Sequence, residues 1–371
     1  MKNTNRQQLT IFDEQCEEVK ITKPIRLIEL FSGYGSQAMA LERVGANFIR
    51  YRAIEFDKFA MNSYNAIHGT NFKATDIRDI NAEDLEVTDK DKYCYIMTYS
   101  FPCTDLSTEG KMKGMKKGSG TRSGLIWEVE RLLKEMGEKP QVLLMENVPQ
   151  VHGKRNKEDF QKWISFLESI GYKNYWQDLN AKDFGIPQNR QRCFMVSLLG
   201  NYTYHFPKPK DDTSIKISDL LEDTVEEKYY LHSDKAKKII EQLIARNVLT
   251  ESTSKICVDG TINNPREKEI ANCILARYDC GVSNLKSTGN MVVENVDNTL
   301  EIKALTDKYS IRKLTPRECG RLMGVADADI NKIEKVNSNY QLYKQFGNSI
   351  VVDVLCEIFK QLNIEQSENS N

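Results

Sequence analysis

From Ile25 the sequence runs strand, glycine turn and helix without a spacer, and few folds accept that order. Ile25-Arg26-Leu27-Ile28-Glu29-Leu30 is a short apolar run of strand type, Phe31-Ser32-Gly33-Tyr34-Gly35 is a tight turn, and residues 36–44 carry apolar side chains at Ala38, Met39, Leu41 and Val44. That spacing predicts an amphipathic helix, stopped by Gly45. The unit is a nucleotide-binding opening of an α/β domain. The third glycine of the dinucleotide fingerprint is missing, so a purely structural turn stays open at this point. A second strand, Phe48–Ile54, ends in Glu55-Phe56-Asp57. An acid at this distance past the turn is placed to accept hydrogen bonds from ribose hydroxyls, and Phe56 can stack on an adenine ring. NAD-binding proteins use the same device, but no segment here cradles a pyrophosphate. Thr75-Asp76-Ile77 is a third element, in which Asp76 reads equally as a helix cap or a surface charge.

Two further apolar runs end in reactive groups. Residues 93–99, Tyr-Cys-Tyr-Ile-Met-Thr-Tyr, predict a buried strand, and Ser100-Phe101-Pro102-Cys103-Thr104-Asp105-Leu106-Ser107 follows. A thiol at the carboxyl end of such a strand can be a nucleophile; a buried, inert cysteine is the alternative. Residues 110–122 then carry Lys111, Lys113, Lys116, Lys117 and Arg122 among four glycines and no acid. This composition predicts a mobile cationic loop for phosphate contact, or a solvated surface loop. The strand at 141–145 ends in Glu146-Asn147-Val148, and a carboxylate there is either solvated or a tuned acid. Gln188, Arg190 and Arg192 alternate ahead of a strand at 193–197, which puts amide and guanidinium donors on one face of an extended segment.

The rest bounds the architecture. A chain of 371 residues has length for one large domain and a smaller one. Its net charge of -1 does not advertise nucleic acid, so any such binding face must be local. Nine cysteines without a C-x-x-C pair or a neighbouring histidine cluster predict a reduced protein without structural zinc. No apolar run approaches the ~20 residues of a membrane span. Residues 1–24 read as an extension outside the core and 363–371 as a polar tail. Residues 206–304 lose the strand-helix alternation except for a helix at 233–246, which suits a small loop-rich domain. Thr315 with Glu318, and Pro316 between them, is a capping box opening a helix, and Gln345-Phe346-Gly347-Asn348-Ser349 leads into a closing apolar helix.

Phe-Pro-Cys-Thr-Asp-Leu-Ser at 101–107, followed by a glycine-rich loop ending Thr-Arg-Ser-Gly-Leu, resembles the nucleophile motif and mobile loop of the DNA (cytosine-5)-methyltransferases. Six motifs occur in that family's order, over residues 25–205 and 305–362. The resemblance implies an α/β fold: a Rossmann-like S-adenosylmethionine-dependent methyltransferase domain over those residues, with a smaller, loop-rich target recognition domain at 206–304. It implies Cys103, Glu146, Arg190 and Arg192 as catalytic residues. Phe31, Gly33, Gly35, Glu55, Phe56, Asp76, Ile77, Ser100, Pro102, Asn348 and Ser349 would form the S-adenosylmethionine site, and Lys111, Lys113, Lys116, Lys117, Arg122 and Gln188 would meet double-stranded DNA. No metal is expected. The same resemblance implies a cytoplasmic bacterial or phage-encoded enzyme, monomeric on DNA, with room for a cognate restriction endonuclease acting separately. A tRNA cytosine-5 methyltransferase of the same fold is the alternative function. A non-catalytic module is disfavoured by Cys103 and Glu146 together, and an NAD-dependent oxidoreductase by the glycine turn.

Overall fold

The computed structural model describes residues 16–106, 114–210, 214–260, 264–276, 289–295 and 305–366. A two-residue strand β1 (Glu17–Glu18) precedes the large sheet, which takes β2 (Ile25–Leu30), β3 (Phe48–Ile54), β4 (Cys94–Tyr99), β5 (Val142–Asn147), β6 (Tyr172–Asn180) and, after the short β7 (Gln188–Asn189), β8 (Gln191–Leu199). Their order is β3-β2-β4-β5-β8-β6. The first four are parallel, and β8 runs antiparallel to both β5 and β6. Central strands bury both faces, so neighbouring residues serve opposite cores. Leu27, Ile96, Leu144 and Val196 join the core shared with α1 (Ser36–Arg43), whereas Ile28, Met97, Met145 and Met195 join the other. Between β3 and β4 the chain forms α2 (Lys58–His68), capped by the Asp57 carboxylate on Phe59 N at 3.0 Å. The second core is closed by α3 (Ile126–Glu135) and α4 (Lys157–Ser169).

The chain ends correct the sequence reading. Val19 and Ile21 are buried in the first core, β1 pairs with β9 (Tyr202–Thr203), and Ile21 bridges Ile364. The described part of the 1–24 segment is therefore woven into the domain built on the large sheet rather than lying outside it. Ile364 and Gln366 of the expected tail likewise form bridges, to Ile21 and Ala46. These contacts are long-range and leave no local periodicity to read.

The smaller domain packs α5 (Asp234–Ala245) against an antiparallel sheet of β10 (Lys255–Asp259), β11 (Arg266–Glu267), β13 (Asn290–Asn295) and β14 (Tyr309–Lys313), in the order β11-β10-β13-β14. Strand β12 (Ala271–Asn272) leaves that sheet and pairs with β7. Because β14 is its outer strand, the small sheet extends to Lys313, beyond the expected end at 304. The chain then returns through α6 (Pro316–Arg321), α7 (Asp327–Glu334), α8 (Asn339–Asn348) and α9 (Val352–Lys360), and α9 packs on α1. Among the described residues no helix is long and apolar enough to cross a membrane.

A buried ion network joins the two domains. Arg312 on β14 is 0% exposed; it donates to Glu294 Oε1 at 3.0 Å and to both carboxylate oxygens of Glu318 at 2.9 Å. Glu318 also accepts from Thr315 N at 2.8 Å, completing the capping box expected from the sequence. Removing one partner of such a pair leaves an uncompensated buried charge, so Arg312→Ala is expected to cost about 3–5 kcal/mol of stability. Urea unfolding checks this, and a loss below about 1 kcal/mol would mean that the network relaxes into water.

Candidate active site

Strand direction decides which residues meet. β4 and β5 are parallel, so the segment after Tyr99 and the residues Glu146 and Asn147 lie at the same edge of the sheet. Antiparallel β8 brings its amino-terminal end, and with it Arg190 and Arg192, to that edge; Glu146 stands opposite Phe194, two residues from Arg192 on the same face. Connectivity alone thus gathers a thiol, a carboxyl and two guanidinium groups from three separate segments.

The cysteine loop is clamped on both sides. Asn147 Nδ2 donates to the Phe101 carbonyl at 2.8 Å, and Ser123 Oγ donates to the Pro102 carbonyl at 2.6 Å. Asp105 accepts from the backbone N–H of Arg122 at 2.8 Å, tying the loop to the segment that leads into α3. None of Asn147, Ser123 and Asp105 stood among the expected site residues, although Asn147 adjoins Glu146 in the same triplet. A polar residue beside a candidate acid was the available signal. Burial pushes the Cys103 thiol up from its usual range; Arg192 and Arg190 pull it down and Glu146 adds to the rise. The resting thiol therefore holds its proton.

Glu146 is buried, and burial raises its carboxyl against the opposing pull of Arg192 and Arg190. Arg192 Nε lies 3.3 Å from Glu146 Oε1, the one direct ion pair of the acid among the described residues. Arg190, expected as a catalytic residue, is held largely by backbone. Nη1 donates to Ile274 O at 2.9 Å, and Nη2 to Gly347 O at 2.9 Å and Ser349 O at 2.5 Å. It therefore ties the small domain and the end of α8 to the catalytic edge. Gln188 departs from expectation. It is 0% exposed, donates to Leu322 O at 2.7 Å and accepts from Ile274 N at 2.9 Å, so it joins protein to protein and presents nothing to DNA. The alternating pattern was read correctly as a shared face; that face is covered by β12 and the chain after it.

A second concave region lies at the ends of β2 and β3. Phe31 adopts a left-handed φ of 58°, unusual for an aromatic residue, and Gly33 follows with φ 56°. A Cβ on Gly33 would meet nothing within 4 Å, so the turn borders open space, whereas Gly35 has no room for one against His68 and Tyr64 of α2. The Glu55 carboxylate accepts from Gly33 N at 3.0 Å and Asp57 N at 2.8 Å, one on each oxygen, which leaves lone pairs on both. Phe56 is 66% exposed beside it. Ser32 Oγ and Ser100 Oγ, at the ends of adjacent strands, are buried and find no hydrogen-bond partner among the described residues. Orphaned hydroxyls, an acid with free lone pairs and an exposed ring fit an adenosine-bearing ligand. Ser349 Oγ lies 2.8 Å from Ser36 Oγ on the first turn of α1, so the end of α8 closes against this region. Asp76 caps the short turn that contains Ile77 and pairs with Arg78 at 2.6 Å, and Ile77 is buried. The capping alternative for Asp76 is therefore realised.

Of the basic loop, Lys111 and Lys113 lie outside the described residues. Lys116 and Arg122 are exposed. Lys117 pairs with Glu130 of α3 at 2.6 Å and sits over the Trp127 ring. Among the described residues one group has the chemistry of metal ligands, His152, Asp178 and Cys193, with the ligand atoms within 4.8 Å of one another. His152 and Asp178 are already paired at 3.0 Å.

Known proteins resemble the chain over most of its length. A family model described as C-5 cytosine-specific DNA methylase matches residues 25–363. The chain is 34% identical over 387 aligned residues to Type II methyltransferase M2.ScrFI of Lactococcus lactis subsp. cremoris, covering 91% of this chain and 99% of that one. It is 34% identical over 312 residues to Orphan methyltransferase M.SssI of Spiroplasma monobiae, covering 81% and 72%. Among solved structures, the Entamoeba histolytica methyltransferase EhMeth superposes with a TM-score of 0.67 at 19% identity, over 92% of this chain and 98% of that one, a likeness of fold.

Proposed function

We propose, taking as premise that the chain belongs to the C-5 cytosine-specific DNA methylases, that Cys103 adds to a cytosine turned out of the duplex while Glu146 protonates its ring. Carbon 5 of cytosine is a poor nucleophile. Once the Cys103 thiol has given its proton to solvent, attack of the thiolate at carbon 6 forms a sulfur–carbon bond and pushes the ring electrons toward nitrogen 3, where the Glu146 proton is delivered. The raised carboxyl of Glu146 keeps that proton to higher pH than an exposed glutamate would. Carbon 5, now enamine-like, would take the methyl group of bound S-adenosylmethionine, whose sulfur leaves as a neutral thioether. A base then removes the carbon 5 proton, nitrogen 3 returns its proton to Glu146, and the electrons restored to the ring expel the Cys103 thiolate. Arg192 holds Glu146 in position, and Arg190 holds the backbone around it. Because a stacked cytosine cannot present carbon 6 to a thiol, the base leaves the duplex, and Lys116, Lys117 and Arg122 on the loop beside Cys103 face the strand it leaves. The single observation that carries this reading is the meeting of Cys103, Glu146 and Arg192 at one sheet edge beside the Glu55 turn.

S-adenosylmethionine supplies an electrophilic methyl group when bound. Glu55 would hold its ribose hydroxyls, Phe56 its adenine, and Ser32, Ser100 and the Gly33 turn its remaining polar groups. Glu55→Ala removes a charge-assisted hydrogen bond worth ~1.5–3 kcal/mol, so cofactor affinity is expected to fall by roughly tenfold or more. Calorimetry on the folded variant decides it: an unchanged Kd would remove Glu55 from the site. For the substrate, methyl transfer from labelled cofactor is expected on duplex DNA and not on tRNA. Labelling of tRNA alone would replace the DNA reading with the RNA one.

A further inference from the structure

The small domain contributes one reactive side chain to the catalytic cluster that the steps above do not use. Cys273 follows β12, and the pairing of β12 with β7 fixes its place, reinforced by the bond from Ile274 N to Gln188. Its Sγ accepts from Arg190 Nη1 at 3.2 Å and lies 3.7 Å from Arg192 Nη2, so both guanidinium groups aim an N–H at one sulfur. The Ile274 carbonyl lies 3.6 Å from the sulfur and also takes Arg190 Nη1 at 2.9 Å, so a neutral thiol has one acceptor here whereas a thiolate has two guanidinium donors.

Charge balance gives this contact its meaning. The ionisable groups that meet here are Arg190, Arg192, Glu146, Cys103 and Cys273. With both thiols protonated, two guanidinium groups face one carboxylate, and when Glu146 carries its proton they face none. Two buried like charges repel: burial and Arg192 together lower the proton affinity of Arg190. Cys273 is the group able to supply the missing negative charge. Burial alone would raise its thiol, yet Arg190 and Arg192 bring it below the ordinary range, in contrast to Cys103.

We propose that Cys273 is a positioning residue of the catalytic site, held as a thiolate between Arg190 and Arg192 so that the arginine pair is neutralised and Glu146 keeps its proton. The inference rests on the role of Glu146 given above. Without the thiolate, both guanidinium charges act on Glu146 and favour its carboxylate, which cannot protonate cytosine.

Two measurements test it. The first needs no DNA: iodoacetamide labelling of Cys273, followed by peptide mass across a pH series, reports its ionisation. Its midpoint is expected below that of an unstructured cysteine peptide, with Cys103 labelling at higher pH in the same sample. A Cys273 midpoint at or above that of the peptide overturns the proposal. The second is the pH profile of kcat/KM. In Cys273→Ser the alkaline fall in activity should move to lower pH, and Cys273→Asp, which restores a negative charge, should move it back. A serine variant that melts like wild type and keeps the wild-type profile overturns the proposal, since size and packing are nearly unchanged. A low midpoint for Cys273 in an enzyme that fails to methylate any cytosine would sustain the thiolate and dispose of the Glu146 reading instead.

Discussion

Replacing Glu146 by glutamine is expected to lower kcat by about 10²–10⁴-fold while cofactor binding stays near wild type. The amide keeps the size of the side chain and can donate a hydrogen bond to nitrogen 3, but it has no proton to transfer. The effect should fall on kcat, because Glu146 lies at the Cys103 edge whereas the Glu55 turn sits at the ends of β2 and β3. Its pH signature has a definite sign. Burial raises the Glu146 carboxyl, so the acid form persists at higher pH than an exposed glutamate would allow, and wild-type activity falls once the pH passes that raised value. The glutamine variant cannot show that limb. A variant with wild-type kcat, or with the alkaline limb retained, would remove Glu146 as the proton donor. A wild-type turnover with weakened cofactor binding would assign the carboxyl to the other half of the cleft.

Much of the catalytic half was legible in the sequence because its signals are local. The runs Ile25–Leu30 and Phe48–Ile54 are strands with the bounds that their apolar patterns predict. The reactive residues stand at strand ends, where a pattern break is visible: Glu55 after β3, Cys103 after β4, Glu146 within the last turn of the pleat on β5. What stayed hidden depends on partners far away in the chain. Gln188 and Arg190 look like exposed donors in isolation, and only the docking of residues 271–274 makes them internal. Val19 and Ile21 lie in a polar stretch whose burial comes from Thr203 and Asn363. Helix α2 was missed for another reason. Its polar residues are interleaved with Ala60, Met61, Tyr64 and Ile67, and its clearest signals are the Asp57 cap and the Gly69 stop at its two ends. Cys273 stood in the sequence as one cysteine among nine, with nothing in its neighbours to announce two arginines some eighty residues upstream.

The covalent role of Cys103 is tested most directly by trapping. Duplex DNA with 5-fluorocytosine at the target position accepts the thiolate at carbon 6 and the methyl group at carbon 5, but fluorine cannot leave as a proton does, so the sulfur–carbon bond persists. The account predicts an adduct that requires S-adenosylmethionine, survives denaturing electrophoresis and maps by peptide mass to Cys103. Cys103→Ser should give none, because a serine hydroxyl furnishes almost no alkoxide at neutral pH, while its fold and cofactor affinity remain. Trapping that persists in Cys103→Ser, or an adduct on Cys273 or any other of the nine cysteines, would contradict it.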